Sequence, residues 1–182
     1  ARTSSEIENI VTTNDSLFRA LAIASQSSVD PATKEVLRYR EALWMGFQDL
    51  ASRPLLTTSV FVHIVNSITQ NQSGVRSMPG TVLSNPTTGE IIYTPPEGED
   101  LIRRKLQNLE EYLHSPDGPD PLVKMAVIHY QFEAIHPFSD GNGRTGRIVN
   151  ILYLVQQGLL DLPVLYLSRH ILENKSEYYR RL

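Results

Sequence analysis

The sequence predicts a mostly α domain carrying one β-hairpin. Apolar residues recur at helical spacing along most of the chain, Asp-Pro, Pro and Gly signals start and stop those stretches, and two short β-prone segments flank a turn. At 182 residues with 41% hydrophobic content the chain can bury one substantial core, and nothing demands a second large domain.

The elements follow in order. Residues 1–29 precede the first strong helix signal. Asp30-Pro31 reads as N-cap and N1 of a helix running through Val36, Leu37, Tyr39, Arg40, Leu43, Trp44 and Phe47 toward Leu50. A second helix follows Thr57, with Val60, Phe61, Ile64, Val65 and Ile68 on one spacing. Residues 81–95 place β-prone stretches around Asn85-Pro86-Thr87-Thr88-Gly89, a hairpin signal. An isolated two-stranded hairpin is marginal in water, so it needs helices beneath it, and its edge could accept an added strand. Residues 97–114 carry Leu101, Leu106, Leu109 and Leu113 among charges, as a partly exposed helix. Ser115 to Asp120 is a turn-rich connector. Pro121 opens a helix with Val123, Val127, Tyr130 and Ala134 on one face and Met125, Ile128 and Phe132 on another, a pattern that predicts burial all round. After a glycine-rich loop, Ile148, Ile151, Leu152 and Val155 form a stripe that stops at Gly158. Ser168 caps a last helix through Ile171 to Tyr178 and Tyr179.

The loop is the chemical centre. His136-Pro137-Phe138-Ser139-Asp140-Gly141-Asn142-Gly143-Arg144-Thr145-Gly146-Arg147 joins two helices, so its glycines sit where free N–H groups and the positive helix end can hold an anion. His136 is a candidate general base, since imidazole titrates near neutral pH. Asp140 offers a hard oxygen to a magnesium ion, which binds through few carboxylates plus phosphate and water. Gly141 and Gly143 allow close backbone approach, and Asn142 tolerates unusual backbone angles. Arg144 and Arg147, three apart, offer guanidinium forks on adjacent surface.

Rival readings fit less well. Gly141 to Gly146 also satisfies a dinucleotide fingerprint with Asp161 downstream, but the required preceding strand is missing. Glu111-x-x-His114 and Glu133-x-x-His136 would suit a di-iron bundle, yet both histidines lie at helix ends beside prolines instead of at mid-bundle. An ordinary polar connector accounts for glycine and aspartate but not for His136, Arg144 and Arg147 together. His63, His114, His129 and His170 form no metal-ligand spacing and read as structural or surface groups.

These twelve residues resemble the Fic family pattern: histidine, any residue, phenylalanine, any residue, an acid, Gly-Asn-Gly-Arg, two free positions, arginine. The resemblance implies a Fic-like helical domain that transfers AMP from ATP to a protein hydroxyl and releases pyrophosphate. In that reading His136 activates the hydroxyl, Asp140 holds Mg2+, and the Gly141, Asn142 and Gly143 amides cradle phosphates. Arg144, Thr145 and Gly146 extend that nucleotide-binding run, and Arg147 grips the γ-phosphate. Phe138 anchors the loop. Related branches that transfer other groups typically carry alanine where Gly141 stands. Ser4-Ser5-Glu6-Ile7-Glu8-Asn9 resembles the family's inhibitory motif, so Ser4, Glu8 and Asn9 imply a carboxylate that pairs with Arg147 and leaves ATP wrongly seated. A capping box with Ser5 as N-cap and Glu8 as N3 competes with this reading. The implied organisation is an N-terminal inhibitory region over 1–29 and a catalytic core over 30–182, with a further winged-helix segment beyond. The hairpin resembles the family's target-binding flap, with Ile91, Ile92 and Tyr93 bordering nucleotide and target. Tyr178 and Tyr179 match a tyrosine pair near the nucleotide.

Composition bounds the partners. A net charge of −3 and a pI near 6.0 give no basic footprint for nucleic acid. No long apolar run or secretory leader is visible and no cysteine occurs, which points to a reducing cytoplasm and away from a membrane. The expected partner is a target protein presenting a Ser, Thr or Tyr hydroxyl, with dimerisation through an exposed helix as a way to tighten the Glu8 lock. Two other functions share the site: removal of AMP from a modified protein, with Glu8 positioning water, and non-catalytic ATP sensing, against which the intact His136 and Asp140 argue.

Overall fold

A computed structural model describes residues 1–22, 29–72, 74–85 and 88–182. Among them the chain runs α1 (Arg2–Ile7), α2 (Asn14–Ala22), α3 (Pro31–Ser52), α4 (Thr58–Thr69), β1 (Leu83–Ser84), β2 (Ile91–Tyr93), α5 (Glu99–His114), α6 (Pro121–Ile135), α7 (Asn142–Gln156), α8 (Leu167–Glu173) and α9 (Lys175–Arg181). The mostly α reading with one antiparallel hairpin holds. No helix among the described residues is long and apolar enough to cross a membrane.

Helix α7 is the axis of the fold. It packs against α3, α4 and α6, and nearly every residue from Asn142 to Leu154 is buried, so the stripe foreseen at Ile148, Ile151, Leu152 and Val155 understates its burial. A helix surrounded on all sides loses the polar face that would give it a directional pattern. Contact with α3 is close at Gly46, where a Cβ would lie 2.6 Å from Leu152 Cδ1. The core joins Tyr39, Phe61, Ile64, Leu106, Ile128, Phe132, Phe138, Ile148 and Leu152, with Phe61 edge-on to Phe132 at 5.6 Å between ring centroids.

Starts and stops follow local chemistry. Asp30 accepts from Thr33 N ahead of Pro31, and Asp120 accepts from Leu122 N ahead of Pro121, each a proline-backed N-cap. Gly158 turns the chain out of α7 at φ 68°.

Several expectations need correction. Trp44 is 52% exposed, and Ile102 replaces Leu101 on the buried face of α5. Helix α6 is not buried all round: Val123, Val127 and Tyr130 stand exposed while Ile128, Phe132 and Ile135 enter the core. The last helix is two, since α8 begins at Leu167 after Tyr166 instead of being capped by Ser168, and the chain breaks at Asn174. Helix α2 was not foreseen: it is only nine residues long, and its Phe18 and Leu21 stand exposed instead of entering the core.

In the hairpin Leu83 pairs with Tyr93 and Ser84 with Ile91, with a register irregularity between them. Gly89 N–H and Glu90 O close the turn onto Asn85, while Pro86 and Thr87 of the expected turn lie outside the described residues. Strand β2 is exposed throughout.

Candidate active site

His136 ends α6 in a left-handed conformation, φ 49° and ψ 60°, with its N–H donated to Phe132 O at 3.0 Å. Non-glycine residues rarely adopt that conformation, so neighbours must hold it. Arg76, in the connection between α4 and β1, does so. Its Nε donates to His136 O at 2.7 Å, a terminal nitrogen reaches Pro96 O at 2.6 Å and Ile135 O at 3.5 Å, and its backbone N–H bonds Pro137 O at 2.9 Å. Burial, chiefly, holds the His136 imidazole below its usual pKa; Arg76 adds to this, and Glu8 and Asp140 oppose it. The ring is therefore neutral near pH 7 and able to accept a proton.

The loop is stapled from inside. Asn142 Oδ1 accepts from Phe138 N–H at 2.9 Å and its Nδ2 donates to Phe138 O at 2.8 Å, while the Phe138 ring sinks into the core. The Asn142 side chain thus serves the loop's shape, and only its backbone amide, at the first turn of α7, is left for an anion. Gly141 sits at φ 79°, and a Cβ there would lie 3.0 Å from Val65 and 3.1 Å from Thr69, so glycine is required on both counts.

Asp140 is exposed at the loop mouth. Its Oδ1 accepts from Gly141 N–H at 2.6 Å and from Arg144 at 2.9 Å, so neither bond uses Oδ2. Arg144 also pairs with Glu35 of α3 and is only 5% exposed. The expected surface fork is therefore wrong for Arg144: the helix turns it inward, between two carboxylates. Thr145 is fully buried, and Gly146 faces α6, where a Cβ would lie 2.7 Å from Glu133 Oε1 and 3.1 Å from His129 Nδ1. Gly146 is thus a point of close packing between α7 and α6.

Arg147 is buried too, and α1 is folded over it. Its Nε donates to Ser4 Oγ at 2.8 Å and a terminal nitrogen donates to Ser4 O at 3.0 Å and Glu8 Oε1 at 2.9 Å. Burial is the largest influence and opposes its charge, but Glu8, Tyr178 and Tyr39 together outweigh it and leave the guanidinium pKa above its ordinary value. Glu8 lies just past α1, not on it. Ile10 N–H bonds Ser5 O and Asn9 N–H bonds Glu6 O, with Asn9 at φ 62°: a Schellman stop with asparagine in its left-handed position. That explains glycine or asparagine after the glutamate, and it excludes the capping box, since α1 begins at Arg2. The carboxylate reaches the first turn of α7, where a Cβ on Gly143 would lie 2.5 Å from Glu8 Oε1. An anion already occupies the helix N-terminus.

Behind Arg147 lies a polar group that the motif did not announce. Glu133 has Oε1 buried without a partner, and burial, mainly, pushes its carboxyl up to about 7. His129 Nε2 pairs with Tyr178 Oη at 2.7 Å while burial lowers its imidazole to about 4. Tyr178 meets Tyr179 edge-on, and Tyr179 is exposed. Glu133 was legible only as the acid three residues before His136; nothing in the sequence marked Arg76 or Glu35. Ile91, Ile92 and Tyr93 are all exposed on β2. No group of three or more metal-type ligands gathers among the described residues.

Residues 55–154 match the Fic/DOC family and residues 1–48 match the Fic/DOC family N-terminal region. The protein adenylyltransferase fic-1 of Caenorhabditis briggsae is 32% identical over 91 residues, which is 48% of this chain and 16% of that protein. The protein adenylyltransferase Fic of Nematostella vectensis is 33% identical over 92 residues, 50% of this chain and 20% of that protein. The matched stretch thus spans about a fifth or less of these relatives' lengths. A crystal structure of a Fic family protein from Desulfovibrio desulfuricans superposes with a TM-score of 0.75 at 25% identity, covering 98% of this chain and 53% of that one. A Fic domain containing signaling protein from Bacteroides thetaiotaomicron shares the fold, with a TM-score of 0.75 at 20% identity over 97% of this chain and 66% of that one.

Proposed function

Because the chain belongs to the Fic/DOC family, we propose that it transfers AMP from ATP to a hydroxyl of a protein, releasing pyrophosphate, and that Glu8 restrains it. The observation that carries this reading is the Glu8 carboxylate, paired with Arg147 and set against Gly143 in an anion seat beside a neutral histidine. A polyphosphate would need the same amides and the same guanidinium.

With Glu8 displaced, the α7 amides and Arg147 hold the phosphates. His136 takes the proton of the target hydroxyl, whose oxygen bonds the α-phosphorus as the bond to the β-phosphate bridging oxygen breaks and pyrophosphate departs. Asp140 suits magnesium by its exposure and by the Oδ2 that its loop bonds do not use; a single carboxylate suffices where phosphates and water complete the shell. Bound there, the ion would neutralise phosphate charge. The exposed β2 edge would pair main chain to main chain with a target segment and present a Ser, Thr or Tyr hydroxyl to His136, with Ile91, Ile92 and Tyr93 along it. Residues 1–29 act as the inhibitory region on the core over 30–182, with Tyr178 and Tyr179 bordering the nucleotide.

The test is transfer from α-labelled ATP with magnesium in cell lysate, comparing the chain with Glu8→Gly and with Glu8→Gly, His136→Ala. Covalent label that rises in the first variant and vanishes in the second is the expected result. A Glu8→Gly protein that binds ATP and labels nothing, itself included, overturns AMP transfer.

A further inference from the structure

We infer that Arg76 is a positioning residue for the reaction, tying the flap's exit to the backbone of the catalytic histidine so that target hydroxyl and imidazole keep one separation. The inference rests on the proposed AMP transfer. Four bonds converge on this residue. Its guanidinium spans His136 O, Ile135 O and Pro96 O, and its backbone amide takes Pro137 O. Pro96 lies three residues after β2 ends at Tyr93, so one planar group joins the strand expected to hold the target to the residue expected to deprotonate it.

The chemistry suits arginine. Helix α6 ends with carbonyls that lack intrahelical donors, and a cation there meets both their hydrogen-bonding need and the negative end of the dipole. A rigid fork can address divergent carbonyls at once, which a lysine ammonium on a flexible stem does less well. Arg76 is 6% exposed; the Glu97 carboxylate favours its charge, Nη1 is buried without a hydrogen-bond partner, and the bonds it does make go to carbonyl oxygens around the site. The left-handed His136 explains why the clamp is needed: its N–H is held by Phe132 O, its C=O by Arg76, and the next carbonyl again by Arg76. With the peptide units fixed on both sides, the ring's direction follows. The groups acting on the His136 ring are the Glu133 backbone on α6 and the charges of Arg76, Glu8 after α1 and Asp140 in the loop.

The experiment uses the Glu8→Gly protein as parent, with Arg76→Met and Arg76→Lys added singly, and reads the transfer rate constant, the KM for ATP and the melting temperature. Arg76→Met should lower the rate constant by on the order of 10²-fold with little change in KM, because the anion seat does not touch Arg76. Arg76→Lys should recover part of that rate, and it carries the test if the methionine variant does not fold. His136 ring titration by NMR gives an activity-free readout: Arg76→Met should raise the midpoint, and Arg76→Lys should leave it near the parent's. A purely structural role predicts a lower melting temperature with an unchanged rate constant well below it, and that result overturns the inference. If the parent labels nothing, the AMP-transfer reading fails; if it labels and Arg76→Met leaves both the rate constant and the His136 titration unmoved, the positioning role is overturned.

Discussion

Replacing Glu8 by Gln should make the protein less stable and a better ATP binder at once. Arg147 is 2% exposed in its side chain and Glu8 32%, so the pair lies between a fully buried one, whose breakage costs about 3–5 kcal/mol, and an exposed one, worth under about 1 kcal/mol. Glutamine keeps a neutral acceptor, and Ser4 keeps two bonds to the guanidinium, which puts the loss at about 1.5 kcal/mol. For a chain of this length that lowers the melting temperature by about 3–6 °C. The freed guanidinium and α7 amides then accept phosphate, and ATP with magnesium at roughly a hundred times its Kd returns about 2.7 kcal/mol. A thermal melt of both proteins, with and without ATP and magnesium, reads the effect. The parent should shift little and Glu8→Gln by more than it lost. Should the variant melt at or above the parent and both respond equally to nucleotide, Glu8 and phosphate do not compete for Arg147.

Asn142→Ala removes both staples to Phe138 and leaves a buried N–H and C=O unpaired, so it should cost about 2–4 kcal/mol; chemical denaturation of variant and parent reads it. The pH dependence of stability should hide two opposing contributions. Glu133, raised from 4.5 to about 7, binds more protons folded than unfolded and so lowers stability as pH rises between those values. His129, lowered from 6.5 to about 4, binds fewer protons folded and so raises stability as pH climbs through that window. Melting temperatures of the parent should therefore be nearly flat from about pH 4.5 to 6.5, while Glu133→Gln should show a rise there; parallel curves for the two proteins would rule out the Glu133 contribution.

Much of the fold was readable because caps and periodicity are local. Asp30-Pro31, Asp120-Pro121 and Gly158 each act within one turn of themselves, and the structure starts or stops helices there. Where periodicity failed, the environment was not two-sided: α7 is buried on nearly every side, so its own pattern could not say which partners it meets, and Trp44 sits exposed despite its size. The shared placement of His136, Asp140, Gly141 and Arg147 was legible because loop and helix terminus set their relations within a dozen residues.

What the sequence determined by itself is thus the local chemistry: a histidine, an aspartate and glycines at a helix start, and a glutamate followed by a residue tolerant of the left-handed turn. Tertiary structure decided which of those groups face the first turn of α7 and which are spent holding the loop. Asn142 turned inward to Phe138, Arg144 went to Glu35, Gly146 took up packing against α6, and Arg76, 60 positions before His136, became the clamp on its carbonyl. The physical reason is that a side chain's partner is fixed by distance and desolvation after the helices pack. Glu8 and Arg147, 139 residues apart, become a buried-side pair only when α1 folds across α7.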